Sequence, residues 1–380
     1  MSEANAGERT RVGVVGLGGM GRLHASTFEE AGATIVAGVD ITEDAREEFA
    51  ESFDAAVYEH HEALLADGPV DAIVVTTPNR FHESIAVAAL EADVSVLVEK
   101  PLAHSLESAQ RIADAAAESR ATCMVGFHNR HAAATQLFDA QRARDRFGTI
   151  RHVEANYIRR RGIPGTGSWF TDPSLSGGGA LIDIGVHALD LALYTMGFPD
   201  IVEVSGTTRA GIGGRDEYAD PDGFSGGWDA TEGSYDVEES VSAFLRSADG
   251  RTISLEAAWA TNRDPSMDFY VRGDEAGAHY EIGDSECRVL DTGVSGVDHY
   301  EDVVLSGDSS VAGYRAQDER FLASVRSGRP ISSNTISEAL QVQRIIDAIY
   351  ESAAQNRAVR LDPIERPVTS SQPVSHPNVQ

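Results

Sequence analysis

The stretch RVGVVGLGGMG, residues 11–21, decides the fold. It opens as an apolar run short enough for a buried strand and passes without a break into Gly16, Gly18 and Gly21 at G-x-G-x-x-G spacing. A segment of helical pattern, ASTFEEAG, follows. A strand, a glycine turn and a helix start in that order let the backbone come close to a pyrophosphate and seat it on the helix N-terminus. Gly19 and Met20 belong to the same turn. Asp40 closes the next apolar run, TIVAGVD (34–40), 19 residues past Gly21, where a carboxylate accepts from the adenosine ribose hydroxyls. Ile41 and Thr42 follow it with no adjacent arginine, so a 2′-phosphate is repelled. NAD is therefore the expected cofactor and NADP is disfavoured.

Working outward, DAIVVTT (71–77), VSVLVEK (94–100) and TCMVGF (122–127) repeat the apolar pattern, with helical spacing in SIAVAALEA and LESAQRIADAAAE between them. Strands apolar on both faces and alternating with helices predict an α/β doubly wound parallel sheet of Rossmann type over residues 1–147. After about residue 148 the pattern changes. HVEANYIRR, IVEVSGTTR, SVSAFLRS, TISLEAAWA and MDFYVRG alternate as half-exposed strands, interrupted by one helical stretch, ALIDIGVHALDLALYTMG. This predicts an α+β substrate-binding and oligomerisation domain over 148–362, including a C-terminal helix, on a large, mostly antiparallel open sheet. Residues 210–239, dense in Gly and Asp, read as a long loop, and 363–380, rich in Pro and Ser, as a disordered tail.

The composition bounds the partners. A net charge of −29 is too acidic for nucleic acid or an anionic membrane surface. Of 31 basic residues only Lys100 is lysine, and the acid is spread along the whole chain, as in proteins adapted to a salt-rich cytoplasm. Cys123 and Cys287 lie far apart and form no metal or redox spacing, so no metal is expected and both read as inert thiols of a reducing compartment. No apolar run reaches membrane-spanning length and the N-terminus carries no secretory signal, which predicts a cytoplasmic protein.

Three further motifs carry chemistry. TTPNRFH (76–82), with Thr77, Pro78 and Asn79, and VEKP (98–101), with Lys100, fall at the carboxyl ends of strands, the cofactor's side of an open parallel sheet. In GGGALIDIGVHALD (177–190), Asp183 and His187 are four apart, so a helix displays both on one face, with Asp190 about a turn further on. The three glycines let that helix start press against a bound ring or another backbone.

Taken in order and at these separations, GLGGMG, TTPNRFH, VEKP, GFHNR and GGGALIDIGVH resemble the family of glucose-fructose oxidoreductase, inositol dehydrogenase and rhizopine-catabolism oxidoreductases, over residues 10–355. The resemblance implies a catalytic trio of Lys100, Asp183 and His187. It also implies a cis peptide before Pro101 and a cofactor site lined by Thr77, Asn79, His82 and Glu99. Many relatives carry arginine two residues after the Phe of G-F, where this chain has Asn129, so Asn129 becomes a candidate substrate contact. In RRRGIPGTGSWF (159–170), Arg161 is expected to face the cleft and Trp169 to stack on a sugar ring, although an arginine cluster tied to local carboxylates fits the same run.

The expected activity is NAD-dependent hydride transfer from a hydroxyl of a sugar, inositol or related polyol. His187 serves as general base, Lys100 stabilises the alkoxide and relays its proton, and Asp183 orients a hydroxyl or the imidazole. Arginine cannot give up a proton, which accounts for one retained lysine. A glycosidase that oxidises its sugar transiently and a cofactor sensor without turnover are the competing readings. A homodimer or homotetramer through the open sheet is expected.

Overall fold

The computed structural model describes residues 9–68, 70–215, 217–223, 235–308 and 313–363. Of the expected tail, 363–380, residues 364–380 lie outside the described residues, as does the centre of the 210–239 loop.

The first half alternates as read: β1 (Arg11–Val15), α1 (Gly19–Glu30), β2 (Thr34–Val39), α2 (Glu43–Phe53), β3 (Ala56–Tyr58), α3 (His61–Asp67), β4 (Ala72–Val75), α4 (His82–Glu91), β5 (Ser95–Glu99), α5 (Leu106–Glu118), β6 (Cys123–Gly126) and α6 (Ala133–Arg142). The six strands form one parallel sheet in the order β3-β2-β1-β4-β5-β6. β4, β5 and β6 are buried along their whole length because helices cover both faces, which is why their sequences show no alternation.

The second half holds β7 (Ile150–Ile158), α7 (Pro173–Ser176), α8 (Val186–Thr195), β8 (Ile201–Arg209), β9 (Ser240–Ser247), β10 (Thr252–Ala258), β11 (Asp268–Gly273), β12 (Gly277–Glu281), β13 (Glu286–Leu290), β14 (Thr292–Gly293), β15 (His299–Tyr300), β16 (Val303–Ser306), α9 (Gly313–Ser327), α10 (Ile336–Gln355) and β17 (Val359–Arg360). Nine strands make one sheet, β16-β13-β12-β11-β7-β10-β9-β8-β17. All its pairs are antiparallel except β7 with β10. The fold class is as expected, an α/β domain followed by an α+β domain on a large, mostly antiparallel sheet. Side chains alternate along β9 and β11, with Val241, Leu245, Phe269 and Val271 buried and Phe244 and Tyr270 exposed, so one face packs on helices and the other stays open.

The C-terminal helices tie the halves together. α9 lies on α1, where Phe321 and Leu322 join Val12, Val14, Leu17 and Phe28 in one buried cluster. α10 starts with a capping box between Thr335 and Glu338 and packs on β8 and α5. Both cysteines are buried and free, and burial pushes the Cys123 thiol up to about 12 and the Cys287 thiol to about 11, which suppresses the reactive thiolate.

Candidate active site

The glycine turn is built by close backbone approach. Gly16 has φ +95°, and a Cβ there would stand 2.9 Å from the main chain of Thr76 and Thr77. At Gly21 a Cβ would overlap the Gly16 carbonyl oxygen, so α1 can start this near β1 only through glycine. Gly18 and Gly19 face open space at the helix N-terminus, the place for a pyrophosphate. Thr77 Oγ1 is buried nearby without a protein partner. These features fit a dinucleotide. Asp40 directly follows β2, with its carboxylate accepting from Leu17 N at 2.9 Å and Thr42 N at 2.8 Å, which aims it while leaving lone pairs for ribose hydroxyls. The fold also brings Arg46 to Asp40, where Nη1 donates to the main-chain oxygen at 2.7 Å. Sequence adjacency could not show that neighbour.

Beyond the turn a pocket is lined by Met20, Thr77, Glu99, Lys100, Trp169 and Asp183, among others, so residues of the glycine turn and of the later motifs meet in one pocket. The Lys100–Pro101 peptide is cis, as the resemblance implied. Lys100 Nζ donates to the Asp183 carboxylate at 3.1 Å and to its carbonyl at 3.0 Å. Trp259 Nε1 holds the other carboxylate oxygen at 2.8 Å. Asp183 sits in a π-helical turn, Leu181–Gly185, ahead of α8. The regular helix expected here is interrupted by that turn; Asp183 partners Lys100, and His187 on α8 meets Asn129. The three glycines before this turn are packed closely by protein. Cβ atoms there would overlap the His104 carbonyl, the Tyr350 hydroxyl and the Glu238 carbonyl, and Gly178 also lines the pocket.

His187 is buried, with Nδ1 3.2 Å from Asn129 Nδ2. The amide nitrogen facing Nδ1 leaves the ring proton on Nε2; a 180° turn of the amide reverses the polarity and frees the Nε2 lone pair. Desolvation, then the charges of Lys100, His128 and Arg159, hold the His187 pKa well below the usual value, so the imidazole is neutral. The His128 ring lies edge-on to His187 at 5.2 Å and stacks on Tyr314 at 3.7 Å, and burial lowers the His128 pKa to about 4. The Tyr157 ring stands 6.1 Å from that of His187.

Several expected contacts fall elsewhere. Asn129 meets His187 and acts on the imidazole. Arg161 does not face the pocket; it donates to Thr261 O and Asn262 Oδ1, because the loop after β10 offers it acceptors. Of the arginine run it is Arg159 whose charge reaches His187. Trp169 lines the pocket with Phe170 stacked on it at 3.8 Å. Asn79 also lines it, but its amide donates to Ser176 O at 2.7 Å across the domains, and the His82 ring lies between Thr77 O and Pro101 O at 2.9 Å each. Pro78 precedes the short turn over 79–81. Arg130, fully buried, pairs with Asp190 on α8 and Glu338 on α10. Sequence reading missed Tyr157, Trp259 and Tyr314. The last comes from α9, more than 120 residues from any motif, and carried no local signal.

A parallel sheet with a glycine turn on its first strand, and a lysine–carboxylate pair in the pocket beside that turn, fit a two-domain nicotinamide-dependent dehydrogenase. Residues 10–127 match the model of an oxidoreductase family with an NAD-binding Rossmann fold, and residues 131–279 that of the GFO/IDH/MocA C-terminal domain. The chain belongs to this GFO/IDH/MocA family, and it is an NAD-binding oxidoreductase acting on CH–OH groups. It is 30% identical over 372 residues to D-glucoside 3-dehydrogenase of Escherichia coli, covering 95% of this chain and 100% of that one. It is also 30% identical over 312 residues to D-xylose 1-dehydrogenase (NADP(+)) 2 of Haloferax volcanii, covering 80% and 85%. Among solved structures, GenD2 from gentamicin A biosynthesis in complex with NAD matches with TM-score 0.76 at 28% identity, over 95% of this chain and 99% of that one. Levoglucosan dehydrogenase in complex with NADH and levoglucosan matches in fold, with TM-score 0.80 at 23% identity over 93% and 99%.

Proposed function

We propose that the protein oxidises a ring hydroxyl of a sugar, inositol or related polyol with NAD, glycosides being the first class to try. The observation that carries this is the Lys100 ammonium, held by the carboxylate and carbonyl of Asp183 in a pocket shared with the cofactor turn. Bound NAD supplies the hydride acceptor. Lys100 meets the reacting oxygen and stabilises the alkoxide, while Asp183, itself held by Trp259, keeps the ammonium in place. His187, neutral and turned by Asn129, takes the hydroxyl proton at Nε2 when the amide presents its oxygen to Nδ1. The Trp169–Phe170 stack offers the apolar plate on which a pyranose face rests. The full-length match to a D-glucoside 3-dehydrogenase supports glycosides.

Residues 1–147 form the cofactor unit and 148–362 the substrate unit, with α9 of the latter lying on the former. Two copies pair through the open sheet face, which presents Phe244 and Tyr270. The charge of −29 and the single lysine support a salt-rich cytoplasm as the setting. The test is a panel of glycosides, monosaccharides and inositols with NAD in molar salt, read by NADH absorbance. NADH formation with a ring-hydroxyl substrate is expected; glycoside cleavage without net NADH would replace this reading with the glycosidase.

A further inference from the structure

Behind the pocket runs a chain of buried charges that hydride transfer itself does not use. His24, fully buried on α1, has Nε2 3.1 Å from Glu99 Oε1, and Nδ1 2.9 and 3.1 Å from the two oxygens of Asp318 on α9. With a carboxylate on each ring nitrogen, both nitrogens donate, which only the imidazolium can do. Thr27 Oγ1 donates to Asp318, and Lys100 N donates to Glu99 Oε2 at 3.1 Å. The glycine that ends β6 makes the room, since a Cβ at Gly126 would stand 2.5 Å from Glu99 Oε1. Desolvation works against the imidazolium, but the two carboxylates outweigh it and lift the His24 pKa to about 10. Burial likewise works against the Glu99 carboxylate, and His24 outweighs it and keeps that pKa below the usual value.

The trio therefore holds two negative charges and one positive, a net negative charge shielded from water. A staple between helices needs no such arrangement, because packed apolar residues serve as well or better. One member faces the pocket: Glu99 lines it with Lys100, Asp183, Met20 and Thr77. The reacting hydroxyl sits at Lys100, and hydride transfer requires the nicotinamide within about 3.5 Å of the carbon that bears it. The nicotinamide end of the cofactor thus shares its pocket with Glu99. The oxidised ring is positive and the reduced ring neutral, so a fixed carboxylate distinguishes them.

We propose that Asp318 and His24 are positioning residues that hold Glu99 as a carboxylate at the nicotinamide end of the pocket, making the site prefer oxidised over reduced cofactor. Asp318 matters because it takes up the charge of His24. Without it the imidazolium cancels Glu99, and the pocket loses its net charge. The proposal rests on the assignment of this pocket as the hydride-transfer site.

The test is binding, not turnover. Dissociation constants of the full-length protein for NAD and for NADH are measured separately by calorimetry, for the native chain, Glu99→Gln and Asp318→Asn. Glu99→Gln is expected to weaken NAD roughly tenfold and to change NADH less than about twofold. Asp318→Asn should move the ratio in the same direction by a smaller factor. Equal changes for both cofactor forms in Glu99→Gln would overturn the proposal. A lowered melting temperature with an unchanged ratio in Asp318→Asn would reduce the pair to a staple. Failure of the dehydrogenase assignment shows separately, as native protein that binds neither form.

Discussion

At the scale of single residues, Lys100 and Asn129 carry the sharpest consequences. Lys100 is the one lysine among 31 basic residues, and its ammonium fits between the carboxylate and the carbonyl of Asp183. A planar guanidinium is wider and keeps its proton. Lys100→Arg should leave NAD binding nearly unchanged and lower kcat by roughly 100-fold or more; near-native turnover would make the lysine a surface counter-ion. Asn129 faces His187 Nδ1, and an aspartate there would favour the imidazolium. His187 must be neutral to accept a proton, and its pKa is now depressed. Asn129→Asp should therefore shift the acid limb of the kcat/KM profile upward by about one pH unit. A raised KM with the limb unmoved would return Asn129 to a substrate contact. The position of Asn129 in the chain was legible, but its partner was not, because nothing local joins residue 129 to residue 187.

At the scale of elements, α1 does two jobs. Its first turn presents open backbone at Gly18 and Gly19, and one turn later its buried face carries His24 against α9. The first job was legible in glycine spacing; the second needed α9, about 290 residues further on. It has a stability signature. The folded pKa of His24, about 10, exceeds the unfolded value of 6.5, so its contribution is fully present below 6.5 and is lost as pH rises through 10. Glu99 and Asp318 face it as charges, with the Phe28 and Tyr314 rings beside it. Thermal denaturation should show the native Tm falling by about 5 °C or more between pH 7 and 10, while His24→Gln starts lower and falls less. Parallel curves for the two proteins would place the pH response elsewhere. The π-turn that carries Asp183 is the element that pattern reading mistook for a regular helix. Its widened turn keeps the same apolar spacing as an α-helix over so few residues, so periodicity could not reveal it.

At the scale of the whole molecule, the −29 charge dominates. Its repulsion is screened over about 3 Å at 1 M salt and about 30 Å at 0.01 M. The melting temperature should fall on moving from the first condition to the second, and activity with it; an unchanged Tm would remove the salt adaptation. The two halves meet through contacts that no single motif predicts. Asn79 reaches Ser176, Arg130 reaches Asp190 and Glu338, and α9 closes over α1.

The trio of Lys100, Asp183 and His187 was implied by the family resemblance, whereas the sequence by itself determined the doubly wound first domain, the open-sheet second domain and the dinucleotide turn. Each of these is written in spacing over a few residues, where strand, turn and helix are set by local sterics and burial. Tertiary structure alone decided that Arg161 turns to the 261–262 loop, that Trp259 holds Asp183, that Asn129 holds His187, and that Asp318 reaches Glu99 through His24. Those partners are separated by 58 to 294 positions. A hydrogen bond between distant side chains depends on how elements pack, and packing leaves no periodic trace along the chain.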